Sequence, residues 1–130
     1  MDKDNRIIAE FMGAHSDLNS FIEYDLYSCI SLGHIFRDIV GGDADAKHFF
    51  RPHEMKFNES WDWLMPVVEK IESLYEDGID VTQYSDGILI ENWREQKEII
   101  RLTRAEESYT RIEFTYYAVV EFIKWYNKSN

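Results

Sequence analysis

Two histidines, His48 and His53, stand either side of Arg51 and Pro52 in the stretch KHFFRPHEM, with Glu54 next to the second. A zinc-binding helix usually places its ligands at i and i+4, and a knuckle uses short Cys/His pairs. The H-x4-H-E spacing matches neither, so it reads as a solvated polar loop. His15 and His34 have no recognisable partners. Cys29 precedes His34 by five residues, which on a helix points the two side chains to different faces. That spacing implies no Cys–His nucleophile, and Cys29 reads as a small buried hydrophobe.

Carboxylates are abundant enough that pairs arise cheaply. Glu69 and Glu72 share a helix face, with Asp62 more loosely aligned. Acid–base catalysis needs carboxylates in contrasting environments within a cleft, whereas these read as one wet helix face. Phosphate-loop, dinucleotide and hydrolase-elbow glycine motifs do not occur. The expectation is therefore a non-enzyme with no catalytic residue, no metal ligand and no cofactor.

The remaining candidates are binding residues. From Glu59 to Glu91 nine acids face one base, Lys70, and Glu69, Glu72, Glu76, Asp77, Asp80 and Asp86 are expected to form an acidic pole. From Arg94 to Arg111 five bases face four acids. Arg94, Arg101, Arg104 and Arg111 are the cations that could converge on a nucleotide. Tyr109, Tyr117, Trp125 and Tyr126 cluster near the C-terminal helix and suggest an aromatic partner face, because exposed rings bury much area at little entropy cost. Packing against the N-terminal region would account for them equally well.

These side chains must be carried by a small scaffold. The 130 residues suit one domain, and 45% hydrophobic with 15% aromatic residues can build a core. No apolar run is long enough to span a bilayer, and MDKDNRIIAEFMG lacks the basic-then-apolar form of a secretory signal. A single cysteine excludes an internal disulfide and fits a reducing cytosol. A formal net charge of −11 argues against direct binding to nucleic acid or to an anionic membrane. It matches a basic protein groove, and it also serves plain solubility.

Ile7, Ile8, Phe11 and Met12 predict a helix over Asn5–Met12, with Asp4 as its cap and Gly13 as its stop. Between Asp17 and Val40, Leu26, Ile30, Ile35, Phe36, Ile39 and Val40 suggest at least one helix. DADAKHFFRPHEMKFN reads as loop. In ESWDWLMPVVEKIESL, Leu64, Val67, Val68, Ile71, Leu74 and Tyr75 form one buried helical stripe. Ser60 or Asn58 serves as N-cap. Pro66 either kinks the helix or shifts its start towards Trp63. Trp61 and Trp63 are expected as an apolar cap or as core.

IDVTQY (Ile79–Tyr84) and ILIEN (Ile88–Asn92) flank the turn Ser85-Asp86-Gly87, and KEIIRLT (Lys97–Thr103) follows as a third strand. Ile79, Val81, Ile88 and Ile90 should share a face, with Leu89 and Trp93 on the other. A helix from about Arg111 closes the chain, its stripe running through Ile112, Tyr116, Val119, Val120, Ile123 and Tyr126. The fold expected is α+β, with helices packed around a three-stranded antiparallel meander in the order helices–helix–βββ–helix. Residues 58–130 would be the α-βββ-α core and residues 1–57 a helical and loop region.

The blocks IIAEFMG (Ile7–Gly13), ESWDWLMPVVEKIESL and YYAVVEFIKWYN (Tyr116–Asn127) resemble a family of uncharacterised small proteins carried by phages and prophages of the Bacteroidetes. More loosely, the order resembles the phage α-β-α sandwich domain. The resemblance covers Ile7–Gly13 and Glu59 onward, and it implies no activity or catalytic residue.

With the acidity, the resemblance leads to a non-enzymatic, phage-encoded protein in the host cytoplasm that inhibits a host factor. A fitting partner is a basic nucleic-acid groove in a nuclease such as a CRISPR effector. The alternatives are a sponge for a host signalling nucleotide, or a phage domain with no host target. The aromatic face would also suit self-association.

Overall fold

The structure, a computed structural model, describes residues 2–16, 30–31, 49–103 and 109–129. The protein is α+β. Its chain forms two compact units, Met1–Lys56 and Phe57–Asn130.

In the first unit, α1 runs from Asp2 to Phe11. It starts before Asp4, which is therefore inside the helix and not its cap. The predicted stop is correct. Gly13 takes the left-handed conformation at φ +94°. Its N–H donates to the Glu10 carbonyl (3.0 Å), and that of Ala14 donates to Ala9 (3.0 Å). This paired closure satisfies carbonyls that the helix end would otherwise leave open.

Asn5 is buried, and its Nδ2 donates to the carbonyls of Pro52 (2.8 Å) and Met55 (3.4 Å). These bonds tie α1 to the short 3₁₀ helix Pro52–Glu54. The strands β1 (His15–Ser16), β2 (Ile30–Ser31) and β3 (Phe49–Phe50) form a small antiparallel sheet. Ile30 thus belongs to a strand, not to the predicted helix, and Phe49–Phe50 and Pro52–Glu54 interrupt the predicted loop. The rest of the helix expected between Asp17 and Val40 lies outside the described residues.

In the second unit, α2 spans Trp61–Glu72, with Ser60 extended at the N-cap position and making no side-chain cap bond. Pro66 lies inside α2, so it does not shift the start to Trp63. Its ring removes the N–H that would meet the Asp62 carbonyl, a loss confined to the first turn of α2, where Asp62 is exposed. Leu64, Val67, Val68 and Ile71 are buried as their spacing predicts. Trp63 is buried edge-on against Phe57, with ring centroids 5.2 Å apart at 89°. It is core, whereas Trp61 is 36% exposed.

Past Glu72 the chain tightens into a 3₁₀ helix, Ser73–Asp77. Each residue then turns about 120° instead of 100°. The predicted stripe fails there: Leu74 is half-buried and Tyr75 is 54% exposed.

β4 (Ile79–Tyr84), β5 (Gly87–Asn92) and β6 (Lys97–Thr103) make an antiparallel meander with β5 central. The register aligns Val81, Ile90 and Ile100 in one row and Gln83, Ile88 and Leu102 in the next. On the other face Thr82, Leu89 and Arg101 align. Pairing shifts between Ile90 and Glu91, leaving Ile99 as the extra residue of a bulge.

α3 (Arg111–Ser129) packs on β5 and β6 and touches α2, while α2 also meets β4. Phe114, Tyr116, Val119, Val120, Phe122 and Ile123 are buried. Each such side chain contributes about 1.5–3 kcal/mol. Among the described residues no helix is long and apolar enough to cross a membrane.

Candidate functional site

At one end of the meander three pieces of chain meet: the 3₁₀ helix Ser73–Asp77, the β5–β6 turn and the last turns of α3. The local sequence dictates the closure. Gly78 ends the 3₁₀ helix at φ +104°, and its N–H donates to the Tyr75 carbonyl (2.9 Å). Its own carbonyl accepts from the Trp93 N–H (2.8 Å). Asn92 Oδ1 accepts from the N–H groups of Arg94 (3.0 Å) and Glu95 (3.1 Å), which folds the turn, and Gln96 completes it at φ 55°.

Side chains then lock the turn onto the helix. Trp93 Nε1 donates to the Tyr75 carbonyl (2.9 Å), and Arg94 Nη2 donates to the Glu76 carbonyl. The two rings lie 5.5 Å apart, and the Arg94 guanidinium is 5.3 Å from the Trp93 ring centre. Tyr75 and Trp93 remain 54% and 42% exposed. The indole N–H of Trp93 and one guanidinium nitrogen of Arg94 are thus bonded to backbone, while the two exposed rings remain open to a partner.

Beside the platform is a cavity of about 530 Å³. Asp77 and Glu95 supply its carboxylates, Trp125 and Tyr126 its rings, and Leu74 and Ile79 its apolar wall. A smaller cavity of about 260 Å³ lies at the opposite end, by Tyr84, Gly87 and Arg101.

The residues expected as an acidic pole are spread out. Glu76 and Asp77 belong to the platform end, joined there by Glu95 from the segment expected to be basic. Glu69 and Glu72 are on the exposed side of α2. Asp86 is in the turn after β4, about 20 Å along the strand from Asp77 at ~3.3 Å per residue. Asp80 stands opposite Glu91, which stands opposite Glu98, so three carboxylates cross the sheet in one row. Like charges directly opposite are unfavourable, and the row is relieved at one end by Arg101. Arg101 reaches Glu98 Oε1 through Nε (3.0 Å) and Nη2 (2.6 Å). That hydrogen bond is the main cause holding the Glu98 carboxyl below its usual range; desolvation opposes it and the Arg101 charge adds to it.

The arginines are likewise dispersed. Arg94 belongs to the platform. Arg101 sits four residues into β6, about 13 Å along the strand at ~3.3 Å per residue. Arg111 begins α3, and Arg104 lies outside the described residues.

The expected aromatic face divides in two. Tyr109 stacks on Tyr117 at 4.9 Å, near the start of α3. Trp125 and Tyr126 each lie 5.8 Å from Phe122, near its end. All four are half-buried, so none presents a fully open ring.

Sequence reading missed the Tyr75–Trp93 pair. The available signal was LYEDG, an acidic helix end closed by glycine, followed eighteen residues after Tyr75 by a tryptophan at a strand end.

Among the described residues no group of three His, Cys, Asp or Glu side chains is placed to hold a metal ion. His53 and Glu54 are exposed, with Glu54 Oε1 accepting the Arg51 N–H (2.9 Å). Cys29, His34 and His48 lie outside the described residues. No family model, curated protein or solved structure matches the chain.

Proposed function

We propose that this protein is a non-catalytic binding module that docks on a basic surface of another protein. The observation that carries the reading is the exposed Tyr75–Trp93 pair with Arg94, pinned by three hydrogen bonds to the carbonyls of Tyr75, Glu76 and Gly78 and bordered by Glu76, Asp77 and Glu95. Trp, Tyr and Arg dominate binding energy at protein interfaces, and a ring already fixed in place loses little entropy on docking. The net charge of −11 favours a cationic partner and raises the rate of encounter.

The resemblance to phage proteins extends the reading to a host factor, with a nuclease groove as a suitable basic target and inhibition as the outcome of occupying it. The spread of carboxylates over α2, the sheet and both of its ends gives mimicry of nucleic acid less support than a compact aromatic anchor would.

The test is copurification from host cells with wild-type protein and with a Tyr75→Ala/Trp93→Ala double variant, each at low and high salt. A specific partner should weaken by about 30-fold or more in the double variant, the equivalent of ~2 kcal/mol, and should also weaken as salt rises. A partner held equally by both proteins at both salt concentrations would refute the reading.

A further inference from the structure

We infer that the 530 Å³ cavity beside the platform is a receptor for a primary alkylammonium group, sharing Asp77 and Glu95 with the border of the Tyr75–Trp93 surface but neither of its rings. Its volume is that of a small-molecule site and many times that of a metal ion. The chemistry of its wall is asymmetric. Asp77 and Glu95 reach it from two different elements, the 3₁₀ helix and the β5–β6 turn, while the described residues that line it include no lysine or arginine.

Carboxylates converging from separate elements suit an ammonium head, whose three N–H donors point in different directions. A planar guanidinium would favour a single carboxylate met edge-on. Trp125 and Tyr126 add ring faces that attract a cation, and Leu74 and Ile79 supply an apolar wall for its methylene stem.

The described cations that neighbour the lining residues in sequence are not among the residues that line the cavity. Arg94 donates to the Glu76 carbonyl and lies over Trp93, Lys124 pairs with Glu121 (3.5 Å), and Lys97, opposite Asn92, and Lys128 are exposed. Such a group could come from a free amine or from a lysine side chain of a protein.

The experiment follows the indole N–H signal of Trp125 by NMR in the full chain, assigned with Trp125→Phe. The added probes are n-butylammonium, n-butanol as its neutral counterpart, and a tripeptide with a central lysine. The expected result is a saturable shift with n-butylammonium and none with n-butanol at equal concentration. Asp77→Asn/Glu95→Gln should weaken the response about tenfold, and both residues are exposed, so the fold should tolerate the change. Tyr75→Ala, which removes a platform ring but keeps the backbone carbonyl that receives Trp93 Nε1 and changes no lining residue, should retain it.

If the tripeptide also binds, a partner's lysine is the natural occupant; if only the free amine binds, the occupant is a small molecule. Equal response to n-butanol, no saturation with either amine, or an undiminished response in the double variant would overturn the assignment. Because Tyr75→Ala removes a ring of the platform and no residue of the cavity, this result stands apart from the fate of the binding-module reading.

Discussion

The two ends of the β4–β6 meander are closed by different physics. At the hairpin end, Tyr84 pairs with Gly87 and Gly87 with Thr103, so a two-residue turn is shut by backbone pairing alone. At the platform end, closure depends on side chains: Asn92 folds the turn, and Trp93 and Arg94 fasten it to the 3₁₀ helix. A backbone closure leaves side chains free to vary. A side-chain closure spends polar atoms internally and leaves rings facing out, which turns a structural fastening into a binding surface. The difference accounts for the placement of exposed Tyr75 and Trp93, whose rings lie 5.5 Å apart at the platform end.

The strongest way to break the hairpin end is Gly87→Val. A Cβ at position 87 would lie 2.7 Å from the Leu102 carbonyl oxygen, a backbone atom that can retreat only if β6 moves. The expected loss is about 2–3 kcal/mol, measured by urea unfolding. The platform, held by other bonds, should keep its NMR signature. A variant as stable as wild type would mean that β6 is not seated against β5 as closely as the register requires.

How much of this was legible in the sequence varied with the range of the interaction that decides each feature. The hairpin, the third strand and α3 follow from local alternation and periodicity, and all three were predicted close to their observed bounds. The stop of α1 at Gly13 was equally local. Misreadings arose where geometry changed within an element. A constant helical period carried as far as Tyr75 puts that residue in the buried stripe, and the 3₁₀ tightening from Ser73 turns it outward. Before Phe57, strands of two residues such as Ile30–Ser31 are too short to show any period at all. The platform was illegible because it requires Trp93 to meet a carbonyl eighteen residues away. The acidic row of Asp80, Glu91 and Glu98 requires the strand register and its bulge.

At the platform end the corresponding substitution is Gly78→Ala. An L-residue at φ +104° is strained, and its Cβ would lie 3.1 Å from Asn92 Oδ1, the acceptor that folds the turn. The strain of roughly 1–2 kcal/mol is offset in part by ~0.4–1 kcal/mol from a less free unfolded chain. The net loss should be about 1 kcal/mol, smaller than that of Gly87→Val because a side chain can yield where a backbone cannot. Trp93 fluorescence should change along with it, as Asn92 loses its place. If Gly78→Ala proved the more damaging of the two, the contrast would invert, and the platform would be the more rigid end.

The smallest effects separate two carboxylates by the kind of partner each has. Before α3, the Thr110 N–H and Oγ1–H donate to Glu113 Oε1 (3.1 and 2.8 Å), and the Glu113 N–H donates to Thr110 Oγ1 (3.3 Å), a reciprocal cap. The Thr110 side-chain bond, then its backbone bond, holds the Glu113 carboxyl below the ordinary 4.5, against slight opposition from burial. A depressed folded value favours the folded state while the group is ionised. The contribution is therefore complete above about pH 4.5 and disappears as pH falls through the lower, folded value. Glu98 follows the same sign through Arg101. The melting-temperature advantage of wild type over Glu113→Gln and over Glu98→Gln should accordingly vanish on acidification. Salt distinguishes the two. The Glu98–Arg101 pair is an exposed ion pair and should weaken as ionic strength rises, whereas Glu113 is held by neutral donors and should not. Equal salt sensitivity in the two variants would show that Glu113 gains its advantage from distant charge and not from the cap.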